Sequence, residues 1–122
     1  MIGYVTLGTN HLPRALAFYD ELMGSFGARR VFETDRGAAW GTSEQSPSLG
    51  VLTPFDGKAA TAGNGTMVAL ALDSRSSVDA AHALAIKLGG RDEGAPGLRG
   101  EGFYAAYFRD LDGNKLACFC QG

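Results

Sequence analysis

Cysteine is scarce in this chain: Cys118 and Cys120 are the only two in 122 residues. Two positions apart on one strand, their Cα atoms would be about 6.5–7 Å apart, long for an unstrained disulfide. Buried free thiols in a reducing compartment are therefore expected, not a redox pair. No C-x₂-C spacing exists, and His11 and His82 are remote from each other, so no zinc site is written in the sequence. Basic charge is thin as well. Eleven Lys and Arg stand scattered against thirteen acidic residues, a net charge of −2, with no stripe for nucleic acid or an anionic membrane. No apolar run approaches the ~20 residues that span a bilayer, and MIGYVTLGTN lacks the basic start of a signal peptide. A soluble cytoplasmic protein is expected. What is present, 45% hydrophobic and 20% charged residues, is ordinary globular composition for a single domain over residues 1–122.

Two helical patterns stand out. Between residues 11 and 26, Leu12, Ala15, Leu16, Tyr19, Leu22, Met23 and Phe26 fall at the spacing of one buried stripe. Asn10 or His11 is placed to cap this helix, Pro13 suits its first turn, and Gly27 can end it. The second pattern runs from Ser76 or Ser77 to Leu88, with Val78, Ala81, Ala85 and Leu88 aligned and Gly89-Gly90 as the stop. A short alternating strand precedes each helix, IGYVTLGT and TMVALALD. With Tyr4 laid on Met67, an offset of 63 residues, Ala15 meets Val78, Tyr19 meets His82, Gly27 meets Gly90 and Trp40 meets Phe103. Such self-similarity at fixed spacing indicates internal duplication.

Strand-like runs follow each helix, at residues 29–34, 38–42 and 48–54 in the first half and 91–93, 103–109 and 115–120 in the second. Between the last two, Asp110-Leu111-Asp112-Gly113-Asn114 is a strong turn signal, because Gly and Asn tolerate positive φ. The plan is α+β, βαβββ twice: module 1 over about residues 1–55, a Gly- and Ala-rich linker over about 56–65, and module 2 over about 66–122. The glycine-rich residues 94–102 read either as a connector or as a flap able to move over a ligand.

After the opening strand, HLPRALAFYDELMGSFG is similar to the Asp-Leu…Phe-Tyr helix of the vicinal oxygen chelate superfamily. That group includes glyoxalase I, bleomycin-resistance proteins, fosfomycin-resistance enzymes and extradiol dioxygenases. FYAAYFRDLDGNKL resembles its Asp-Pro-Asp-Gly-Asn turn, with Leu111 in place of Pro, while His11 stands in place of the usual Asp. The resemblance spans essentially the whole chain. It implies tandem modules forming a curled, cup-like mixed sheet, with helices outside and a ligand within. On that plan Val5, Leu7, Val68, Leu70 and Leu72 face the helices, while Tyr4, Thr6, Gly8, Met67, Ala69 and Ala71 face the cup. The first set is bulky and aliphatic, the second small or mixed, as helix packing on one face requires.

Metal-dependent members of that superfamily place His, Gln or Glu at four positions around the cup. Matched by position, these are Tyr4, Met67, Ala117 and either Gly50 or Val51. None offers a His nitrogen or a carboxylate oxygen, and thioether or phenol does not replace the hydration shell of Zn²⁺, Mn²⁺ or Fe²⁺. No metal ligand and no cofactor are expected. His11 reads as part of a helix cap and His82 as a half-buried helix residue.

Aligned on the turn, Tyr107 takes a position that faces the ligand in the fosfomycin-type branch. Phe103 and Arg109 share its face, as does Phe119 across the turn. With Tyr4, Thr6, Trp40 and Met67 they make up the expected ligand-binding set, mostly apolar with a few hydroxyls and one cation. Rings give stacking area and a phenol a directed hydrogen bond, which suits a small, partly aromatic ligand. The same side chains could instead fill the interior, and Arg109 could pair with a turn carboxylate at the surface. The expected function is metal-independent small-molecule binding, similar in mode to the bleomycin-resistance proteins, which sequester ligands and often complete the pocket as dimers. A homodimer follows from that likeness. The alternative is a glyoxalase-like lyase or dioxygenase-related enzyme with a divergent site, for which Tyr107 is the one catalytic candidate; an ordinary phenol, with pKa about 10, is a poor base near neutrality. A third reading is a structural or regulatory subunit with a collapsed cup.

Overall fold

The stripe over residues 11–26 forms helix α1 (Leu12–Gly24) in a computed structural model that describes every residue from 1 to 122. His11 is the cap, its ring Nδ1 accepting from Arg14 N at 3.3 Å. Asn10 instead bridges to Ala60, donating to its carbonyl at 3.1 Å and accepting from its N–H at 2.7 Å. Ala15, Phe18, Tyr19, Leu22 and Met23 are buried, so Phe18 widens the apolar face beyond the expected stripe. Helix α2 spans Arg75–Lys87 and begins earlier than expected. Ser74, not Ser76 or Ser77, is its cap, accepting from Ser77 N at 3.1 Å. Neither helix is long and apolar enough to cross a membrane.

Strands β1 (Tyr4–Gly8), β2 (Arg29–Thr34), β3 (Gly37–Gly41) and β4 (Ser48–Leu52) form one sheet in the order β1-β4-β3-β2. Strands β5 (Val68–Ala71), β6 (Arg91–Gly100), β7 (Phe103–Arg109) and β8 (Lys115–Gln121) form the other, in the order β5-β8-β7-β6. In both, the strand before the helix pairs parallel with the last strand, and the remaining pairs are antiparallel. The chain divides into two compact units, Met1–Ala62 and Gly63–Gly122, each an α+β assembly of one mixed sheet and one helix.

Each helix covers one face of its own sheet. Leu7, Ala38, Trp40, Leu49 and Val51 are buried on that side in the first unit, and Ala106, Phe108, Leu116 and Cys118 in the second. The alternation read for β1 and β5 holds: Val5 and Leu7, like Val68 and Leu70, share a face with these buried partners. Cys118 and Cys120 are free thiols, and burial pushes the Cys118 thiol up to about 12.

The constant offset of 63 residues fails beyond the helices. Thr6, Gly50 and Ala39 lie side by side in the first sheet as Ala69, Ala117 and Tyr107 do in the second. Ala39 therefore corresponds to Tyr107, 68 residues on, because five more residues separate α2 from that point of β7. Trp40 consequently matches Phe108, not Phe103, and faces α1. It is 1% exposed, with its ring 5.6 Å from Tyr19 and its Nε1 donating to Asp20 at 2.9 Å. The matching pair in the second unit is His82 and Phe108, with ring centroids 6.5 Å apart. Trp40 is thus a helix–sheet packing residue, contrary to its placement in the ligand-binding set.

Residues 94–102 are not a flap either. Most of this stretch belongs to β6, paired with β7 through three register shifts. Its glycines permit close approach: a Cβ on Gly94 would come within 2.9 Å of the Tyr107 ring. The Asp110–Asn114 turn forms as read. Asp110 accepts from Asp112 N, Asn114 N and Asn114 Nδ2, each at 2.9 Å, and Gly113 takes φ +87°.

Candidate functional site

The face of the first sheet turned away from α1 carries an open hollow of about 510 Å³. That volume lies within the ~300–1,000 Å³ typical of small-molecule sites. Thr6, Gly50 and Ala39, adjacent in register, make its floor, and Tyr4, Phe32 and Leu52 flank it. Gly50 gives the hollow its depth; even a Cβ there would lie 3.3 Å from Thr6 Cγ2. Tyr4 and Phe32 are 72% and 63% exposed, so the rings offer stacking surface instead of filling the core. Of the expected ligand-binding residues, Tyr4 and Thr6 line this hollow.

Phe32 and Arg36 line it too, and sequence reasoning passed over both. A register shift between Arg30 and Phe32 sets Phe32 opposite Ala39, on the floor's side of the sheet. Arg36 stands in the turn between β2 and β3. Its Nη2 donates to Thr53 O at 2.8 Å, and its guanidinium carbon lies 5.4 Å from the Phe55 ring centroid. Its Nε is closed off from solvent without an acceptor. The one available signal was a lone cation at a hairpin tip beside Gly37.

In the second unit, Phe103, Tyr107, Arg109 and Phe119 share the face turned away from α2, the parity expected of them. The Phe103 and Phe119 rings stack at 5.4 Å. Tyr107 lies between two cations, Arg99 at 5.4 Å and Lys115 Nζ at 5.6 Å from its ring centroid. Arg109 is engaged: Nε meets Glu93 Oε1 at 3.2 Å, and Nη1 donates to Gly113 O at 3.0 Å. Its acidic partner comes from β6 and not from the turn. Met67, just before β5, is 43% exposed.

The four positions that the resemblance matches to a metal site are Tyr4, Gly50, Met67 and Ala117. Val51 is excluded because its side chain is fully buried on the α1 side. A phenol, a hydrogen, a thioether and a methyl do not form the nitrogen and carboxylate set a divalent ion needs, so the donors do not fit the metal. The histidines are occupied otherwise. His82, 8% exposed, places Nε2 3.0 Å from Asp92 Oδ1, and His11 caps α1. Hydrogen bonds from Gly94 N and then His82 hold the Asp92 carboxyl below its ordinary value.

Residues 1–118 match the family model of the Glyoxalase/Bleomycin resistance protein/Dioxygenase superfamily, and the chain belongs to that superfamily. It is similar to a glyoxalase/bleomycin resistance protein from Albidiferax ferrireducens T118, with 35% identity, a TM-score of 0.92, and coverage of 100% of this chain and 99% of the other. A glyoxalase/bleomycin resistance protein/dioxygenase family enzyme from Burkholderia phytofirmans PsJN shares the fold at 19% identity and a TM-score of 0.77, covering 98% of each chain. So does a lactoylglutathione lyase from Agrobacterium tumefaciens, at 20% identity and a TM-score of 0.71, covering 98% of this chain and 92% of that one. No curated protein sequence is a match.

Proposed function

We propose that this chain is a metal-independent binding protein for a small, partly aromatic molecule. The hollow of the first sheet carries this reading: its floor is made of small residues, two exposed rings flank it, and one acidic side chain, the exposed Glu44, borders it. Recognition there rests on shape, ring stacking and hydrogen bonds from Tyr4, Thr6 and Ser48. The likeness to the bleomycin-resistance group supports binding without chemistry, and it also supports a homodimer. Analytical ultracentrifugation at micromolar concentration is expected to show the dimer; a monomer alone would remove that part of the proposal.

The binding reading is tested by melting temperature across a panel of small aromatic compounds, with a chelator present throughout. Compounds that bind only the folded state raise the melting temperature. That rise is expected in the wild type and should vanish in Ala39→Trp, which fills the hollow from its half-buried floor. If no compound shifts the wild type, or the variant responds equally, the hollow is not the binding site.

A further inference from the structure

Resting on that reading, we infer that the ligand is a monocarboxylic acid with an apolar body, its carboxylate held by Arg36. Arg36 is the one cation lining the hollow. Its side chain contacts only the Thr53 carbonyl and the Phe55 ring, with no carboxylate beside it. Two of its three guanidinium nitrogens, Nε and Nη1, therefore lack a protein acceptor, and Nε is also closed off from water. A buried donor without a partner is costly, and guanidinium is built to meet a carboxylate with two parallel N–H bonds. Nε and Nη1 lie on different edges of the planar group, so the edge a carboxylate in the hollow can take is the end-on one, Nη1 together with the second N–H of Nη2.

Charge along the hollow limits the ligand further. Arg36 precedes Gly37, which pairs with Leu52 at one end of β4. Glu44 lies in the connection from β3 to Ser48, at the other end. Four strand steps separate the two ends, about 13 Å. Apolar surface from Phe32, Ala39 and Leu52 lies between them. A second negative charge would meet Glu44, so one carboxylate is favoured over two, and over a phosphate dianion.

The test is calorimetric titration of the full chain with 3-phenylpropionate and with its neutral amide, which has the same body. The acid is expected to bind more tightly than the amide. Arg36→Gln should weaken the acid roughly tenfold or more, the scale of a charge-assisted hydrogen bond, and weaken the amide by much less. Arg36→Lys, which keeps the charge but not the fork, should retain part of the affinity. Melting curves of both variants verify the fold, and Glu44→Gln, remote from the Thr53 contact, should admit phenylsuccinate, a dicarboxylate, more readily than the wild type does. If acid and amide bind alike and Arg36→Gln changes neither, the carboxylate assignment fails while the hollow remains a binding site. If neither compound binds, both readings fall.

Discussion

Asp110 is 6% exposed and gathers three N–H groups with one carboxylate, joining β7 to β8 without a long loop. Asp110→Ala would leave those donors without their acceptor in a largely buried turn. It is expected to cost about 2–4 kcal/mol in urea unfolding, more than a surface substitution by a wide margin. Gly113→Ala would place a side chain at φ +87° and should cost about 1 kcal/mol by the same measurement. The two thiols make a third expectation. With its sulfur buried and its pKa near 12, Cys118 should not react with a disulfide reagent at pH 8 until the chain unfolds. At this scale the turn was fully legible, because Asp, Gly and Asn at those spacings have a local reason to be there. Arg36 was not legible as a lining residue, because a lone cation at a hairpin tip does not tell which side of the sheet its guanidinium reaches.

Elements are held together by pairs that recur in both units. Tyr19 against Trp40 in the first corresponds to His82 against Phe108 in the second, and an acid supports each: Asp20 accepts from Trp40 Nε1, and Asp92 meets His82 Nε2. Asp20→Ala should destabilise by about 1–3 kcal/mol, since it strands the indole N–H in the core. Asp20→Asn, which keeps an acceptor oxygen, should cost less. The Arg30 guanidinium, and secondarily the Trp40 N–H, hold the Asp20 carboxyl below its ordinary value of 3.8 against the opposing effect of burial. A carboxyl lowered in the folded state stabilises above its unfolded pKa, and that contribution fades as pH falls through the folded value. Unfolding curves between about pH 5 and 3 should therefore lose less stability in Asp20→Asn than in the wild type. The difference should be under about 1 kcal/mol, because both partners of the ion pair reach solvent. Element order was legible in the sequence through helix stripes, glycine stops and strand alternation. The face presented by Trp40 was not, because five residues inserted after α2 move the register of the later strands relative to any fixed offset. The bulge that turns Phe32 toward the hollow was hidden for a related reason: an irregular pairing leaves no trace in period-2 alternation.

Taken whole, the chain keeps the scaffold of its superfamily, and the positions that the resemblance matches to a metal site carry a phenol, a hydrogen, a thioether and a methyl. Duplication accounts for both halves having a sheet with one helix-covered face and one face rich in Ala, Gly and aromatic residues. That pattern made Tyr4 and Thr6 legible as lining residues, and it made Phe103, Tyr107 and Phe119 legible as neighbours on a single face. The function proposed for this scale is recognition through surface and charge, without an ion. Its most direct test is the affinity of 3-phenylpropionate for the intact protein, measured by calorimetry after exhaustive chelation and again with excess Zn²⁺, Ni²⁺ or Mn²⁺. The expected result is the same affinity in every condition and no stoichiometric uptake of any ion. Binding that disappears on chelation and returns with one equivalent of metal would contradict the account.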